Sequence, residues 1–491
     1  MVTDFSRNYT PPGIYTDENE SVVVSSLGSA ANLVALVGQT RGYQVHVEQA
    51  VFGDPITLVN KGIDFNSLVV TLAADGSEVD TGDYVLAKVS DNGNQDYYTS
   101  FTPASGADTA DGTTIFLEYH YTDPDYFNPK RVESFEDVKD LYGEPMNLAS
   151  GSPSDANYSY IPSPLSLAAK VAFENGATEL VLCAATPPGS GATNDAQKST
   201  ARRSALAVAY GKTATLPSVT VIVGVATGIL TSDAPGALTD LSNHLDAAAG
   251  DGFTRFGLIG FDTAVSTAPD TLISTAAARN RRMALAYVGP SGLLMYSGGT
   301  NSTFKVSHAY FAAACAGRMS ALPVHRSLTK QAISSFVGLG GTPMSNALKN
   351  QYSAAGVMVG EIDRLGRLVV RHGVTTDPSN VNTREAAVVR AKDYLIRSIE
   401  DGFTASDLIG QPVNDEMLYT IKSAMQGYLE TAVANDTIVS YTGLAVRQGT
   451  TDPTVVEVKF AYKPAYPLNF ISVSFSIDMT TGTTTDLATA A

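Results

Sequence analysis

The chain has 491 residues, 44% of them hydrophobic, and a formal net charge of −17 at pH 7. This length exceeds what one hydrophobic core usually serves, so we expect about two to four domains. The acidic balance argues against non-specific nucleic-acid binding, and no run approaches the roughly 20 apolar residues of a membrane-spanning helix. The first residues lack the basic and apolar segments of a secretory signal, so we expect assembly in a cytoplasm.

The first 25 residues are typical of an extended arm rather than of a packed domain. A Pro-Pro-Gly sequence stiffens the stretch, Ile14-Tyr15 is a short extended piece, and Val22–Val24 is a second β-prone segment. A disordered terminus is the alternative, but three consecutive valines are unusual in disordered chains. We predict that residues 1–25 form an arm that lies on another surface.

A buried strand is predicted at Leu33–Gly38, and the composition then changes between residues 50 and 125. Short β-prone runs alternate there with turn clusters such as Asp75-Gly76 and Asp111-Gly112. Strands at this spacing indicate a small all-β domain. We therefore predict a β-rich insertion domain at 50–125, inside a core formed by residues 26–49 and 126–380.

Helices alternate with short apolar strands in the second part of this core. Ser134 and Asp137 have the spacing of a capping box, and Ser163-Pro164 has the arrangement that begins a helix. The alternation predicts an α/β core in which helices flank a mixed, largely parallel sheet. The predicted helices cover 133–142, 163–175, 196–210, 238–249, 268–280 and much of 307–354, and the predicted strands cover 178–183, 219–223, 256–259, 283–288, 357–359 and 367–371.

The C-terminal part, residues 381–479, is predicted to be a separate helix and strand domain. Two long helices are expected at about 381–401 and 413–431, and strands at about 437–447, 454–462 and 468–477. The last strand alternates strictly: Ile471, Val473, Phe475 and Ile477 face one side and polar residues the other. Such a strand either belongs to its own sheet or completes the sheet of another molecule. The remaining residues, 480–491, are predicted to be a mobile tail.

No catalytic, cofactor-binding or metal-binding constellation is evident. Gly211-Lys212-Thr213 is the nearest match to a phosphate loop, but Leu206 stands where that motif requires glycine. The six histidines have no metal-ligand spacing. Cys183 and Cys315 lie in apolar runs, where we expect reduced core thiols, a single bridge between them being the alternative. We predict that the protein is not an enzyme and carries no cofactor and no metal.

The order of these features resembles that of sheath proteins of contractile phage tails and related injection machines. The resemblance covers about the whole chain outside 50–125, which corresponds to the variable outward insertion of that family. It rests on the Pro-Pro-Gly-Ile-Tyr-Thr-Asp-Glu sequence of the arm, on Val34–Thr40, Phe173–Val181, Arg384–Arg397 and Ala424–Leu429, and on the last strands through Asp478.

The resemblance implies a structural subunit of the virion tail that polymerises with itself as a helical homopolymer of stacked rings. An inner tail tube, a baseplate and a tail terminator are the other implied partners, with no nucleic acid and no membrane. The sheath would assemble in the host cytoplasm, remain extended and metastable, and contract to drive the tube through the host envelope for genome delivery.

The resemblance also implies roles for particular residues. Each arm would add a strand to a sheet in a neighbouring subunit, and the basic helix at 384–401 is our prediction for the tube contact. The predicted inter-subunit strand residues are Ile14, Tyr15, Val22, Val23, Val24, Ile471, Val473, Phe475 and Ile477. The predicted tube-facing residues are Arg384, Arg390, Lys392 and Arg397, for which a solvated helix face is the alternative.

Two other functions fit the same residues. One is a different structural protein of a virion or injection machine. The other is an α/β enzyme with an appended β domain, which would need a pocket near the strand ends at Gly224 or Gly260.

Overall fold

The computed structural model describes residues 33–61, 63–90, 97–123, 125–146, 161–189, 191–296, 303–406, 408–472, 476–477 and 484–485. The predicted N-terminal arm, with Ile14, Tyr15 and Val22–Val24, lies outside the described residues. So do Val473 and Phe475 of the predicted last strand. No helix in the described part of the chain is long and apolar enough to cross a membrane.

An all-β segment follows the first strand of the core. The strands are β1 (Leu33–Gln39), β2 (Gln44–Val51), β3 (Ile56–Lys61), β4 (Ile63–Leu72), β5 (Tyr84–Ser90), β6 (Tyr97–Pro103) and β7 (Thr114–Tyr121). Strands β2 to β7 form two antiparallel three-stranded sheets, in the orders β2-β7-β4 and β3-β6-β5. Alternate residues of β7, Ile115, Leu117 and Tyr119, are buried between them. The segment begins at Gln44 rather than near residue 50.

The chain then alternates between helices and strands. In order, the elements are β8 (Lys130–Val132), α1 (Phe135–Tyr142), α2 (Pro164–Glu174), β9 (Leu180–Ala185), α3 (Asp195–Thr213), β10 (Val219–Ala226), α4 (Ala234–Gly250), β11 (Phe256–Phe261), α5 (Pro269–Thr275), β12 (Met283–Tyr287), β13 (Leu293–Tyr296), β14 (Thr303–Val306), α6 (His308–Ala321), β15 (Gly338–Leu339), α7 (Asn346–Ala354), β16 (Val357–Ile362) and β17 (Leu368–Val370). The capping box of Ser134 and Asp137 is present, and Pro164 begins α2. Helix α3 continues past Gly211, where the sequence predicted its end.

The core is an eight-stranded mixed sheet with the order β17-β16-β12-β11-β10-β1-β9-β8. The six inner strands are parallel, and β17 and β8 pair antiparallel at the two edges. The inner strands are apolar along most of their length because helices cover both faces of the sheet. Helices α1, α2 and α6 pack on one face, and α3, α4, α5 and α7 on the other. The prediction of a mixed sheet with flanking helices is confirmed.

The two cysteines lie on opposite faces of this sheet. Cys183 belongs to the core beneath α3, and Cys315, on α6, belongs to the other core. Both are buried free thiols, so the preferred prediction is confirmed over the bridge. Burial raises the pKa of Cys183 to about 11, which keeps the thiol protonated and unreactive at neutral pH.

The described residues of the C-terminal part form three helices and two pairs of strands. These are α8 (Val381–Arg384), α9 (Ala386–Ala405), α10 (Asp415–Ala434), β18 (Ile438–Gln448), β19 (Val456–Pro464), β20 (Ser476–Ile477) and β21 (Thr484–Thr485). Helix α9 lies between the sheet and this part. One face reaches the beginnings of β10 and β11, where Arg397 donates to the carbonyls of Val219 and Thr254 at 3.2 and 3.3 Å. The other face packs Leu395 and Ile399 against α10 and the β18–β19 pair.

Residues 468–472 of the predicted strand at 468–477 join no sheet among the described residues, so its pairing with another molecule stays a prediction. Residues 465–472 have no regular secondary structure, and the strand comprises Ser476–Ile477, paired with Thr484–Thr485. The physical reason is the lack of a neighbour, because no strand in the described part of the chain runs beside 465–472. The pairing also places a short strand within the tail predicted to be mobile.

Candidate assembly interface

The hairpin formed by β18 and β19 has two long open edges. The strands have 11 and 9 residues and pair with each other, for example Tyr441 opposite Tyr462, and with no other strand in the described ranges. Ile438 and Phe460 anchor its inner face on Met425 of α10. Unpaired strand edges present a row of free N–H and C=O groups, which makes them templates for a strand from another chain. Both outer edges of the hairpin are therefore unpaired within the described ranges.

The segment that follows the hairpin exposes large apolar side chains. In this segment, residues 465–472, here called the arm root, the side chains of Leu468, Phe470 and Ile471 are 76%, 82% and 77% exposed. A single exposed leucine is ordinary, but three such side chains within four residues form an apolar strip. In an isolated subunit this strip stays in contact with water.

The base of the arm root is fixed to the subunit by polar contacts. The Tyr466 hydroxyl donates to Asn382 Oδ1 at 2.6 Å, and Asn469 Nδ2 donates to Glu385 Oε1 at 3.2 Å. The ring of Phe470 meets His372 edge to face, with centroids 6.3 Å apart. The arm root therefore begins at a defined position beside α8, while its apolar side chains point into solvent.

The carboxylate of Glu385 is the centre of this attachment. It is 1% exposed, and it accepts hydrogen bonds from His372 Nε2 and Arg384 Nε, each at 3.1 Å. Burial raises the pKa of Glu385, but the hydrogen bond and charge of His372, with the bonds from Asn469 and Arg384, outweigh it and hold the pKa below its usual value. A carboxyl with a lowered pKa stabilises the folded state at higher pH and loses that contribution as pH falls through the folded pKa. The attachment is therefore intact at neutral pH.

Of the four residues predicted to face a tube, two are buried and two are half-buried in the subunit. Arg390 and Arg397 are 6% and 7% exposed, and the Arg390 guanidinium donates to the carbonyl of Met319 at 2.9 Å. Both side chains are buried in the subunit because α9 lies between the sheet and α10, and their contact with a tube stays a prediction. Arg384 bonds Glu385 at the base of the arm root, and Lys392 is half-buried.

Helix α10 has the exposed face that α9 lacks. Its buried side, Ile421, Met425 and Leu429, faces the hairpin and α9. Its outer side carries Tyr419, which is 73% exposed. Other exposed residues of this helix include Glu416, Thr420, Lys422, Ser423, Gln426 and Glu430. A polar helix face with an exposed tyrosine is typical of a contact surface.

Sequence reasoning missed both surfaces. The sequence predicts two strands at about 437–447 and 454–462 but carries no sign that their outer edges are unpaired. The signal for α10 was available: its apolar positions Ile421, Met425 and Leu429 recur every four residues and leave one side polar. Helix α9, in contrast, is apolar at Val388, Val389, Leu395, Ile396 and Ile399, which is too broad a set for a surface helix. Among the described residues, no cluster of three His, Cys, Asp or Glu side chains could hold a metal ion.

Comparisons with known proteins agree with one another. The tail sheath protein of Mycobacterium phage Bxz1 is 30% identical over 435 residues, which are 87% of this chain and 70% of that protein. No protein-family model matches. The contracted helical sheath of the anti-feeding prophage has the same fold with a TM-score of 0.55, 14% identity and coverage of 96% of this chain and 100% of that one. The contracted PVC sheath complex of an extracellular contractile injection system also has this fold, with a TM-score of 0.52 and 14% identity. The match covers 97% of this chain and 99% of that one.

These relatives define the class of protein. By its relationship to the Bxz1 protein, the chain is a structural protein of a tail and not an enzyme. Within that class, it belongs to the tail sheath protein family.

Proposed function

We propose that this sheath subunit polymerises by strand exchange around an inner tail tube and contracts to deliver a genome through the host envelope. The observation that carries the proposal is the hairpin β18–β19, which has two open edges, beside an arm root whose apolar side chains are exposed. One edge would receive the N-terminal arm of a neighbour, through Ile14-Tyr15 and Val22–Val24. The other would receive the C-terminal arm of a second neighbour, through Ile471–Ile477.

Strand exchange suits a lattice that must change its contacts without falling apart. Each added backbone hydrogen bond contributes about 1 kcal/mol, and apolar burial contributes about 25 cal/mol per Å². The exposed strip of Leu468, Phe470 and Ile471 would be covered on assembly. Asn469 Oδ1 is buried without a hydrogen-bond partner in the described residues, so an N–H group of a neighbour would satisfy it.

The linked lattice would be assembled in the host cytoplasm, extended and metastable, with a baseplate at one end and a terminator at the other. Contraction without a nucleotide requires subunit faces with two alternative packings, while the exchanged strands hold neighbours together. The arm root, which is fixed at Glu385 and irregular beyond it, is where a subunit could turn relative to its neighbour.

Negative-stain imaging of the full-length protein expressed alone tests this proposal. We expect tubular polymers, because acceptor and donor strands are in one chain and need no second component. A closed ring would favour a different structural protein of the tail. A monodisperse monomer at high concentration would contradict strand exchange.

We propose α10 rather than α9 as the surface that contacts the tube. Tyr419 lies on its outer side among charged and polar residues. We expect Tyr419→Glu to weaken co-sedimentation with purified tube by about tenfold, since a desolvated tyrosine is a common hot spot. Polymers of the variant alone should form normally.

The matched control for this variant is Val208→Glu on α3. Val208 is 62% exposed and lies on a helix that packs on the core sheet, away from α10. Its tube binding should be that of the natural chain. Equal binding by both variants would remove α10 from the proposal and leave the strand exchange untouched.

A further inference from the structure

A small cavity under α9 is lined by three buried arginines and a single carboxylate. Its volume is about 20 Å³, enough for one particle the size of a water molecule. Its lining includes Arg255, Arg390 and Arg397. These side chains are 1%, 6% and 7% exposed. Three cationic groups around so small a space are unusual, because burying a charge is costly unless it is paired.

The carboxylate of Asp393 also lines the cavity, and it is already paired with Arg282. Both oxygens of Asp393 accept hydrogen bonds at 2.8 Å, from Nε and Nη2 of Arg282. Asp401, Asp393 and Glu400 act on Arg397 through their charge. Asp393 is therefore shared between Arg282 and Arg397, and no second carboxylate among the described residues lines the cavity beside Arg255 and Arg390.

Backbone carbonyls satisfy part of the hydrogen-bonding capacity of these arginines. Arg255 is held by the carbonyls of Phe253, Thr213, Ala214 and Leu216. Arg390, by contrast, has one bond, from Nη2 to Met319, within the described residues. Carbonyl dipoles solvate the charge but do not neutralise it. Accordingly, burial lowers the pKa of Arg390 to about 10.

An unsatisfied hydroxyl gives an independent indication of a ligand. Thr254 lines the cavity, is 5% exposed, and its Oγ1 has no hydrogen-bond partner among the described residues. A buried hydroxyl without a partner is costly, and it can donate to an acceptor placed in the cavity. An anion would accept from this hydroxyl and from the guanidinium groups at the same time.

We propose that this cavity binds one small monovalent inorganic anion, of the chloride class, between α9 and the core sheet. The small size of the cavity favours a monatomic anion, and its arginines favour an anion over water. Because Arg390 and Arg397 come from α9 while Thr254 and Arg255 precede β11, the bound anion joins the helix to the sheet. This site is independent of the proposed strand exchange.

The test is the melting temperature of the full-length protein in sodium chloride and in sodium gluconate at matched ionic strength. Above the dissociation constant we expect the melting temperature to rise by on the order of 2 °C for each tenfold increase in chloride. Gluconate is too large for the cavity and should give no such rise. Equal melting temperatures in the two salts would overturn the proposal and leave a water-filled cavity.

Thr254→Val is the decisive variant, because it removes the hydroxyl and conserves the shape of the side chain. We expect it to fold and to lose most of the chloride-dependent rise. Thr227→Val is the matched control, since Thr227 is also buried with an unpartnered Oγ1 in the described part of the chain but does not line the cavity. The control should keep the full rise. A rise that persists in Thr254→Val would assign chloride binding to the surface and overturn the site.

A second measurement does not depend on unfolding. Chloride-35 nuclear magnetic resonance of the natural protein should show line broadening that bromide competes away. The broadening should fall in Thr254→Val and remain in Thr227→Val. Equal broadening in the two variants would contradict the proposal.

Discussion

Deleting residues 466–491 should abolish tubular polymers while the subunit stays folded. The deletion removes nearly all of the arm root together with β20 and β21, and none of these pairs, within the described ranges, with the core sheet or the hairpin. It also breaks the interactions of Tyr466 with Asn382, of Asn469 with Glu385, and of Phe470 with His372. Imaging measures the polymers, and far-ultraviolet circular dichroism should be almost unchanged.

A shorter deletion, of residues 480–491, distinguishes two versions of strand exchange. If residues 471–477 are the donated strand, this variant should still form tubes. If it forms none, the tail beyond Asp478 is the segment that crosses to the neighbour. Global unfolding of the longer deletion would instead show that the last strand belongs to the subunit's own fold, which contradicts donation.

Asp393→Ala should reduce the free energy of unfolding by about 3–5 kcal/mol, the usual cost of breaking a buried ion pair from one side. Asp393 and Arg282 are 7% and 6% exposed and are joined by two bonds of 2.8 Å. Burial lowers the pKa of Arg282, but the charge and hydrogen bond of Asp393 outweigh burial and hold the pKa of Arg282 above its usual value. The variant leaves a buried guanidinium without its carboxylate. Urea unfolding in a gluconate buffer measures the change without contribution from chloride.

Asp240→Ala is the control, because it removes the same chemical group from a more exposed pair. Asp240 binds Arg203 through two bonds of 2.8 and 3.2 Å, with side chains 21% and 35% exposed. Exposed pairs contribute about 0–1 kcal/mol, so this variant should lose far less stability. Similar losses in the two variants would show that burial does not set the strength of the Asp393 pair.

The core sheet could be predicted from the sequence because each of its inner strands is a short run of apolar residues. A strand covered on both faces must be apolar throughout, as Val219–Ala226 is over almost its whole length. Local capping was equally readable, since the side chains of Ser134 and Asp137 bond within three residues of each other. In both cases, the interactions that decide the structure lie within one short segment.

Interactions between distant segments could not be predicted from the sequence. The burial of Arg390 and Arg397 is an example, because charged side chains are usually exposed. Their carbonyl partners at Met319 and Val219 lie 71 and 178 residues away, so nothing local shows that they are buried. The sequence likewise does not show that the outer edges of the β18–β19 hairpin are unpaired. Whether a strand has a neighbour depends on the topology of the whole chain.

The two ends of the all-β segment have a consequence for how such a chain can vary. Gln44 at its start and Tyr121 at its end lie opposite each other in one antiparallel pair, and Thr122 donates to the carbonyl of Gly42 just outside it. The segment therefore leaves the core and returns to it at adjacent points. Its length and sequence can change without altering the path of the core strands, so a different domain could be inserted between these two points.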